Sequence, residues 1–317
     1  MTYHADGAPF GHVHRCLCLR RCRRESKTRL IVPFSWIGSR RFSVVFCHMG
    51  MEITHLGSGS AGNSTLLRSD ETNVLIDCGF SLKRMEARLR MVDLEPSSID
   101  AILVTHHHSD HSRTALRASK NWGAILHSNL ETATRMGWEP MAECRTFGAL
   151  ERIVVSDDIS LLPIPVPHDD ADNVAVIASN GGGRRAAVVT DLGELTVDLM
   201  RHLSGCSHIS IEANYDHSRL MSGPYPESLK RRISGRGGHL SNVQTGDALS
   251  EIVSERLESI VLCHLSESNN APHLAESEVL MAMGDRFSGR IGISMQSGPE
   301  FSNWLGQSEP ERISSRI

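Results

Sequence analysis

The feature that most constrains this chain is Thr105-His106-His107-His108-Ser109-Asp110-His111, which packs four histidines and an aspartate into six residues. The run before it, Ala101-Ile102-Leu103-Val104, is apolar throughout and reads as a buried β-strand. Imidazole and carboxylate are the ligands that zinc, manganese and iron accept. At a strand end, on a short loop that opens a helix, several such groups can be aimed at one point. Read as H-x-H-x-D-H, the pattern selects His106, His108, Asp110 and His111. A histidine-rich surface loop is the plain alternative, but it would require neither the strand nor this spacing.

Charge and cysteine both divide the chain near residue 48. Of its 317 residues, the first 48 carry nine Lys+Arg against two acids, which leaves a net −11 on the rest of a chain whose total is −4. An acidic body is not the footprint of a nonspecific nucleic-acid binder, although bound divalent cations would offset part of that charge locally. Cys16, Cys18, Cys22 and Cys47 lie in the first segment, whereas Cys78, Cys144, Cys206 and Cys263 are scattered through the body without paired spacing. Cys78, Cys206 and Cys263 adjoin apolar runs and read as buried thiols, which places the chain in the cytoplasm. No run of about 18 apolar residues exists, so no membrane span is expected.

Residues 1–48 are rich in Arg, Cys and His and lack clear periodicity. Three readings stand for them: a transit peptide, a small metal site of Cys16, Cys18 and Cys22 with His12 or His14, or a non-native extension from a start assigned upstream of Met49 and Met51. The expected organisation is a non-native or disordered extension over 1–48, one domain over 49–306 and a polar tail over 307–317.

The body alternates strands and helices. Strands are expected over 52–56, 64–68, 73–77, 101–105, 124–127, 159–167, 173–178, 185–189, 208–211, 259–263 and 290–293. Helices are expected over 82–91, 129–136, 195–203, 241–255 and 274–283. Gly57-Ser58-Gly59-Ser60-Ala61-Gly62 is either a phosphate cradle or a tight turn, and Gly181-Gly182-Gly183 is a hairpin turn. The prolines of 159–167 suit a sheet edge. Mixed elements with short connections imply a layered α/β fold. Metal-type residues recur at strand ends: Asp77, His106, His168, Asp191, Glu212 and His264.

This set resembles the metallo-β-lactamase superfold, whose fold is an αββα sandwich with a dimetal site at one edge. The resemblance implies that His106, His108 and His168 hold one metal, that Asp110, His111 and His264 hold the second, and that Asp191 bridges them. Relatives that perform oxygen chemistry with iron carry a glutamate at the position of His108, so this chain reads as a hydrolase. A pair of metals can hold a hydroxide and clamp a phosphate through in-line displacement.

A second constellation, Glu212-Ala213-Asn214 with Gly238-His239-Leu240-Ser241-Asn242, is similar to motifs of the ribonuclease Z group, which implies His239 as general acid and Glu212 as its partner. His168 and Asp191 lie 23 residues apart, leaving no room for the long arm of those enzymes; Asp191 and His264 lie 73 apart, too few for the inserted domain of the ribonuclease J group. Together with Ile76-Asp77-Cys78-Gly79, Thr190-Asp191-Leu192-Gly193 and His264-Leu265-Ser266-Glu267-Ser268-Asn269-Asn270, these motifs most resemble the WalJ/YycJ family of nucleases. That resemblance implies a 5′-3′ DNA exonuclease that uses two divalent ions, zinc or manganese, with Asp110, Glu212 and His239 in catalysis and DNA as substrate. The family usually has a histidine after Glu-Ala-Asn, where this chain has Tyr215; His217 is the nearby candidate to replace it. A small-molecule hydrolase (a cyclic phosphodiesterase, lactonase or thioesterase) or a ribonuclease on the same site is the alternative. Asn269 and Asn270 are equally readable as substrate contacts or turn caps.

Overall fold

Alternating burial along the strands is what builds this molecule in layers. The computed structural model describes residues 50–299 and, by backbone alone, 301–305. The readings made for 1–48 and for the tail over 307–317 lie outside the described residues. One sheet contains β1 (Met51–Gly57), β2 (Ser64–Arg68), β3 (Asn73–Ile76), β4 (Ala101–Leu103), β5 (Ile125–Asn129) and β6 (Arg145–Phe147). The other contains β7 (Ile153–Val154), β8 (Ile159–His168), β9 (Ala171–Asn180), β10 (Arg185–Val189), β11 (His208–Glu212), β12 (Ser259–Cys263) and β13 (Arg290–Ile293). A last strand, β14 (Phe301–Leu305), pairs with β1 and gives the first sheet the order β14-β1-β2-β3-β4-β5-β6; the second runs β13-β12-β11-β10-β9-β8-β7.

Side chains alternate between faces along each strand. In the first sheet Leu67, Val74, Ile76, Ala101 and Leu103 face the second sheet, where Val174, Val176, Ala186 and Val188 meet them. Leu66, Leu75 and Ile102 point the other way, into helices carrying Met85, Leu89, Ala118 and Trp122. Ala175, Ile177, Ala187 and Val189 likewise face outward onto helices carrying Leu199, Leu249, Ala275 and Val279. Helix, sheet, sheet and helix therefore stack in the αββα order expected.

Several boundaries coincide with the sequence reading: Ser64–Arg68, Leu82–Met91, Arg185–Val189, Ser259–Cys263 and Arg290–Ile293. Most other strand boundaries differ by one to three residues, while the 241–255 helix stops at Ile252 and its Ser241 forms a capping box with Gln244. Ala115–Trp122 is a helix not among those expected; it buries Ala115, Ala118, Ser119 and Trp122. Glu227–Ile233 is a second such helix, with Lys230 its one buried residue.

β8 is the penultimate strand, with β7 outside its start, so the edge expected of its prolines holds only from Leu162 onward. Pro163, Pro165 and Pro167 alternate, so all three missing N–H groups lie on the side away from β9. On that side β7 pairs with Ser160 and Leu161 alone, and the carbonyls of Pro163 and Pro167 accept from Leu150 and Gly193 instead.

β3 to β6 run parallel, as do β10 to β13. Their carboxyl ends, with that of β8, carry the donors, where open α/β sheets bind ligands.

Candidate metal centre

Three strand-end residues take a left-handed backbone: Asp77 (φ 65°), Asp191 (φ 58°) and His264 (φ 54°). Such a conformation costs of order 1–3 kcal/mol in a non-glycine residue and survives where the surroundings enforce it. Here it ends each strand and turns the side chain into a shared space. His106, His108 and His168 converge in one group, and Asp110, His111 and His264 in another. His106, His111 and Asp191 form a third that links the two, and within each group the potential ligand atoms lie within 4.8 Å. Asp191 Oδ2 is 2.8 Å from His111 Nε2, and its Oδ1 is 3.5 Å from His264 Nδ1 and 3.8 Å from His168 Nε2. All seven residues expected as ligands are thus brought together.

The surroundings fix which nitrogen each imidazole offers. The Thr105 hydroxyl donates to Asp77 at 3.0 Å, so it can only accept from His106 Nδ1 at 3.1 Å. His111 Nδ1 meets Asp77 Oδ2 at 2.6 Å, and His168 Nδ1 donates to the Gly238 carbonyl at 3.1 Å. Each of these rings is left with Nε2 facing inward, the usual arrangement of a metal-bound histidine and its supporting acceptor. His264 Nε2 is buried without a hydrogen-bond partner, and Asp191 Oδ2 likewise has none of proper geometry. His106 Nε2 and His108 Nδ1 face each other at 3.0 Å. Converging lone pairs, an orphaned nitrogen and an orphaned carboxylate oxygen fit divalent cations.

Electrostatics agree. Burial alone would lower the pKa of His111, but Asp191, Asp77 and Asp110 hold it well above the ordinary value. His264 is likewise carried to about 10 against its burial, chiefly by Asp191. A pocket this rich in carboxylate draws either protons or cations, and metal binding releases the protons.

Tight backbone approaches complete the frame. A Cβ on Gly79 would lie 1.5 Å from the Asp110 carbonyl oxygen, which explains a glycine after Asp77-Cys78. A Cβ on Gly238 would lie 2.1 Å from the Ile233 carbonyl, in the loop whose own carbonyl orients His168.

Glu212 and His239 also meet. Glu212 is fully buried and accepts from the backbone amides of Asp191, Leu192 and Leu240 at 3.0, 3.2 and 2.8 Å. Burial would raise its pKa, but His239 and then His264, whose Nδ1 lies 3.3 Å from Glu212 Oε2, bring it to about 2. His239 Nδ1 lies 3.2 Å from Glu212 Oε2 and 3.7 Å from Asp191 Oδ1. His239 lines an open cleft of about 370 Å³ with Ser60, His108, Asp110, His168, Asp191 and His264.

Other candidates take structural places. His217 is exposed at the start of the helix His217–Ser222 and does not join the donor groups. Tyr215 is buried and bridges to Ser241. The glycine loop is a turn: Gly59 N donates to Asn63 Oδ1, Ala61 N to Gln296 and Gly62 N to the Gly59 carbonyl. Ser58 and Asn63 tie that turn to His264 and Asp110, through Ser58 Oγ accepting from His264 N at 2.9 Å and Asn63 N donating to the Asp110 carbonyl at 2.7 Å. Asp77 is the supporting residue that a search for ligands alone passes over, though its place at a strand end marked it.

A αββα sandwich with this donor set at the strand ends defines a class of metal-dependent hydrolases, and its family model, the metallo-beta-lactamase superfamily, matches residues 57–217. The chain belongs to that superfamily and, within it, to the WalJ/YycJ family. It is 30% identical over 251 residues to exodeoxyribonuclease YycJ of Bacillus anthracis, covering 75% of this chain and 91% of that protein. Exodeoxyribonuclease WalJ of Streptococcus pneumoniae is 30% identical over 237 residues, covering 72% of this chain and 86% of that protein. Among solved structures, the metallo-beta-lactamase fold protein YhfI from Bacillus subtilis superposes with a TM-score of 0.62 at 14% identity, over 81% of this chain and all of that one, which shows the shared fold.

Proposed function

We propose that this chain is a metal-dependent DNA exonuclease that hydrolyses phosphodiesters from the 5′ end. His106, His108 and His168 would hold one divalent ion and Asp110, His111 and His264 a second, with Asp191 a ligand available to either; zinc and manganese suit these ligands. When bound, such ions neutralise phosphate charge and acidify water.

The observation that carries the reading is the His239–Glu212 contact of 3.2 Å beside the donor cluster. The leaving oxygen of a DNA phosphodiester is an alkoxide and departs far more easily if protonated. His239, at the cleft wall, is the proton donor, and Glu212 orients its ring and favours its charged form. A thioester's thiolate leaves without such help, so the pair favours phosphodiester over thioester substrates. The names of the 30%-identical relatives support DNA as the polymer. The four body cysteines are unpaired and buried, and no helix among the described residues is long and apolar enough to cross a membrane; reduced thiols support a cytoplasmic enzyme.

The test is the purified chain with manganese on duplex DNA labelled at the 5′ or the 3′ end. Stepwise release of nucleotides from the 5′ end is expected. Hydrolysis of bis(p-nitrophenyl) phosphate without any nucleotide release would overturn the DNA reading in favour of a small phosphodiester.

A further inference from the structure

A second cavity of about 420 Å³ adjoins the metal cleft, lined by His107, His108, Arg135, Asp169, Asp170 and Arg232. It shares His108, Asp169 and Arg232 with the cleft, so the two form one trough. His107 is the histidine of the opening cluster that joins none of the donor groups, and its Nε2 lies 3.5 Å from Arg135 Nη1.

Two arginines reach this cavity from separate helices. Arg135, in the last turn of Leu130–Met136, donates to the Asp170 carbonyl at 2.8 Å and pairs with Glu131. Arg232, in the last turn of Glu227–Ile233, grips Asp169 through Nη2 at 2.7 Å and Nε at 3.2 Å. Both helices are anchored: Glu131 accepts from Asp172 N at 2.8 Å, and buried Lys230 donates to the Met221 carbonyl at 2.6 Å. The carboxylates therefore fix the guanidiniums in place. Each guanidinium has five N–H donors, of which Arg232 uses two on Asp169. Both side chains stay open to solvent, 42% for Arg135 and 66% for Arg232.

The residues lining the trough include no Phe, Tyr or Trp. Strands recognised through their bases are stacked on aromatic rings, whereas paired guanidiniums are suited to phosphate. We infer that Arg135 and Arg232 form the subsite for the phosphate group next to the scissile one, so that this trough holds nucleic acid by its backbone. The inference rests on the phosphodiesterase reading above. The bound group is either an internal phosphodiester or a 5′-terminal phosphate.

The experiment uses the full chain loaded with manganese and the variants Arg135→Gln, Arg135→Lys and Arg232→Gln. Substrates are duplex DNA with a 5′-phosphate or a 5′-hydroxyl, and bis(p-nitrophenyl) phosphate, which has no second phosphate. Each Gln variant is expected to raise KM on DNA about tenfold and to flatten the salt dependence of log(kcat/KM) by about one. Hydrolysis of the small ester by Arg135→Gln, a position outside the lining of the metal cleft, should stay within about twofold, and Arg135→Lys should recover part of the loss. Equal loss on both DNA ends assigns an internal phosphodiester; loss confined to the phosphorylated end assigns the terminal phosphate. An unchanged KM on DNA, or an equal loss on the small ester, overturns the subsite. Should the parent chain cut no DNA, the earlier reading fails and calorimetry decides this one. Thymidine 3′,5′-bisphosphate should then bind about tenfold tighter than thymidine 5′-monophosphate, a margin that Arg135→Gln abolishes; equal affinities would overturn it.

Discussion

His111 Nδ1, on the short helix Ser109–Ser112, lies 2.6 Å from the carboxylate of Asp77, a residue 34 positions earlier that directly follows β3. The same carboxylate takes the backbone N–H and hydroxyl of Thr105 at 2.8 and 3.0 Å, and that hydroxyl accepts from His106. One buried aspartate thus sets the ring orientation of one histidine from each proposed ion site. Asp77→Asn is expected to weaken binding of zinc or manganese about 10–100-fold, as loss of such supporting groups does. A competition titration against a chromogenic chelator reads the affinity, and an unchanged value would sink this role.

Replacement of His239 should depend on the leaving group. His239→Ala is expected to lower kcat on DNA by about 10²–10⁴-fold, yet to have much less effect on bis(p-nitrophenyl) phosphate, whose nitrophenolate departs without a proton. Burial lowers the pKa of His239, but Glu212 outweighs it and raises the value overall. The working acid is therefore present below this pKa and lost as pH rises through it. Glu212→Gln should move the alkaline limb of the DNA pH profile to lower pH; an unmoved limb would separate Glu212 from the proton transfer.

A buried polar chain crosses between the sheets, and it predicts acid sensitivity. His55 bonds to Thr65 and Ser210 at 3.2 and 2.7 Å, and His208 bonds to Ser210 and Ser259 at 2.8 and 2.9 Å. Burial lowers the pKa of His55 to about 4 and of His208 to about 3. Both are neutral when folded, while the unfolded chain takes up protons near pH 6.5. The unfolded state binds more protons below that pH, so stability present at neutral pH falls as pH drops from about 6.5 towards 4 and 3. Each tenfold difference in proton affinity is worth about 1.4 kcal/mol. Denaturant melts from pH 7 to 4 should show the decline, and His55→Gln should flatten it.

Asn242 and Asn270 form a reciprocal amide pair, 3.0 and 2.8 Å, and Asn270 also donates to the Ala213 carbonyl at 2.7 Å. Both are buried. Asn270 therefore ties the loop after β12 to the end of β11 and resolves to a structural role. Asn270→Ala should destabilise the fold by about 1–3 kcal/mol, the penalty for an unpaired buried amide, and leave KM on DNA unchanged. A selective rise in KM with an unchanged melting temperature would return it to substrate binding.

Much of the site was legible because its donors are sequence-local or follow apolar strands. His106, His108, Asp110 and His111 share one loop, and His168, Asp191 and His264 each close an alternating or apolar run. Supporting roles were less legible. The glycine loop reads equally as a phosphate cradle until its amides are found bonded to Asn63, Gln296 and Gly59. His217 is near Tyr215 in sequence, but the Asp216 cap starts a helix there and turns His217 to solvent. Arg135 and Arg232 are 97 positions apart on unremarkable helices, and no spacing rule links them.

The sequence by itself marked the candidate donors at strand ends and a layered α/β fold, because ligand chemistry and strand and helix periodicity are properties of short segments, while the αββα order and the division of donors between two ions were what the resemblance to a known superfold implied. Tertiary structure alone decided which nitrogen each histidine presents, that Glu212 faces His239, and that two distant arginines share one trough. Those depend on contacts between segments up to about a hundred residues apart, made by left-handed strand ends and by close backbone approaches such as that of Asp110 to Gly79.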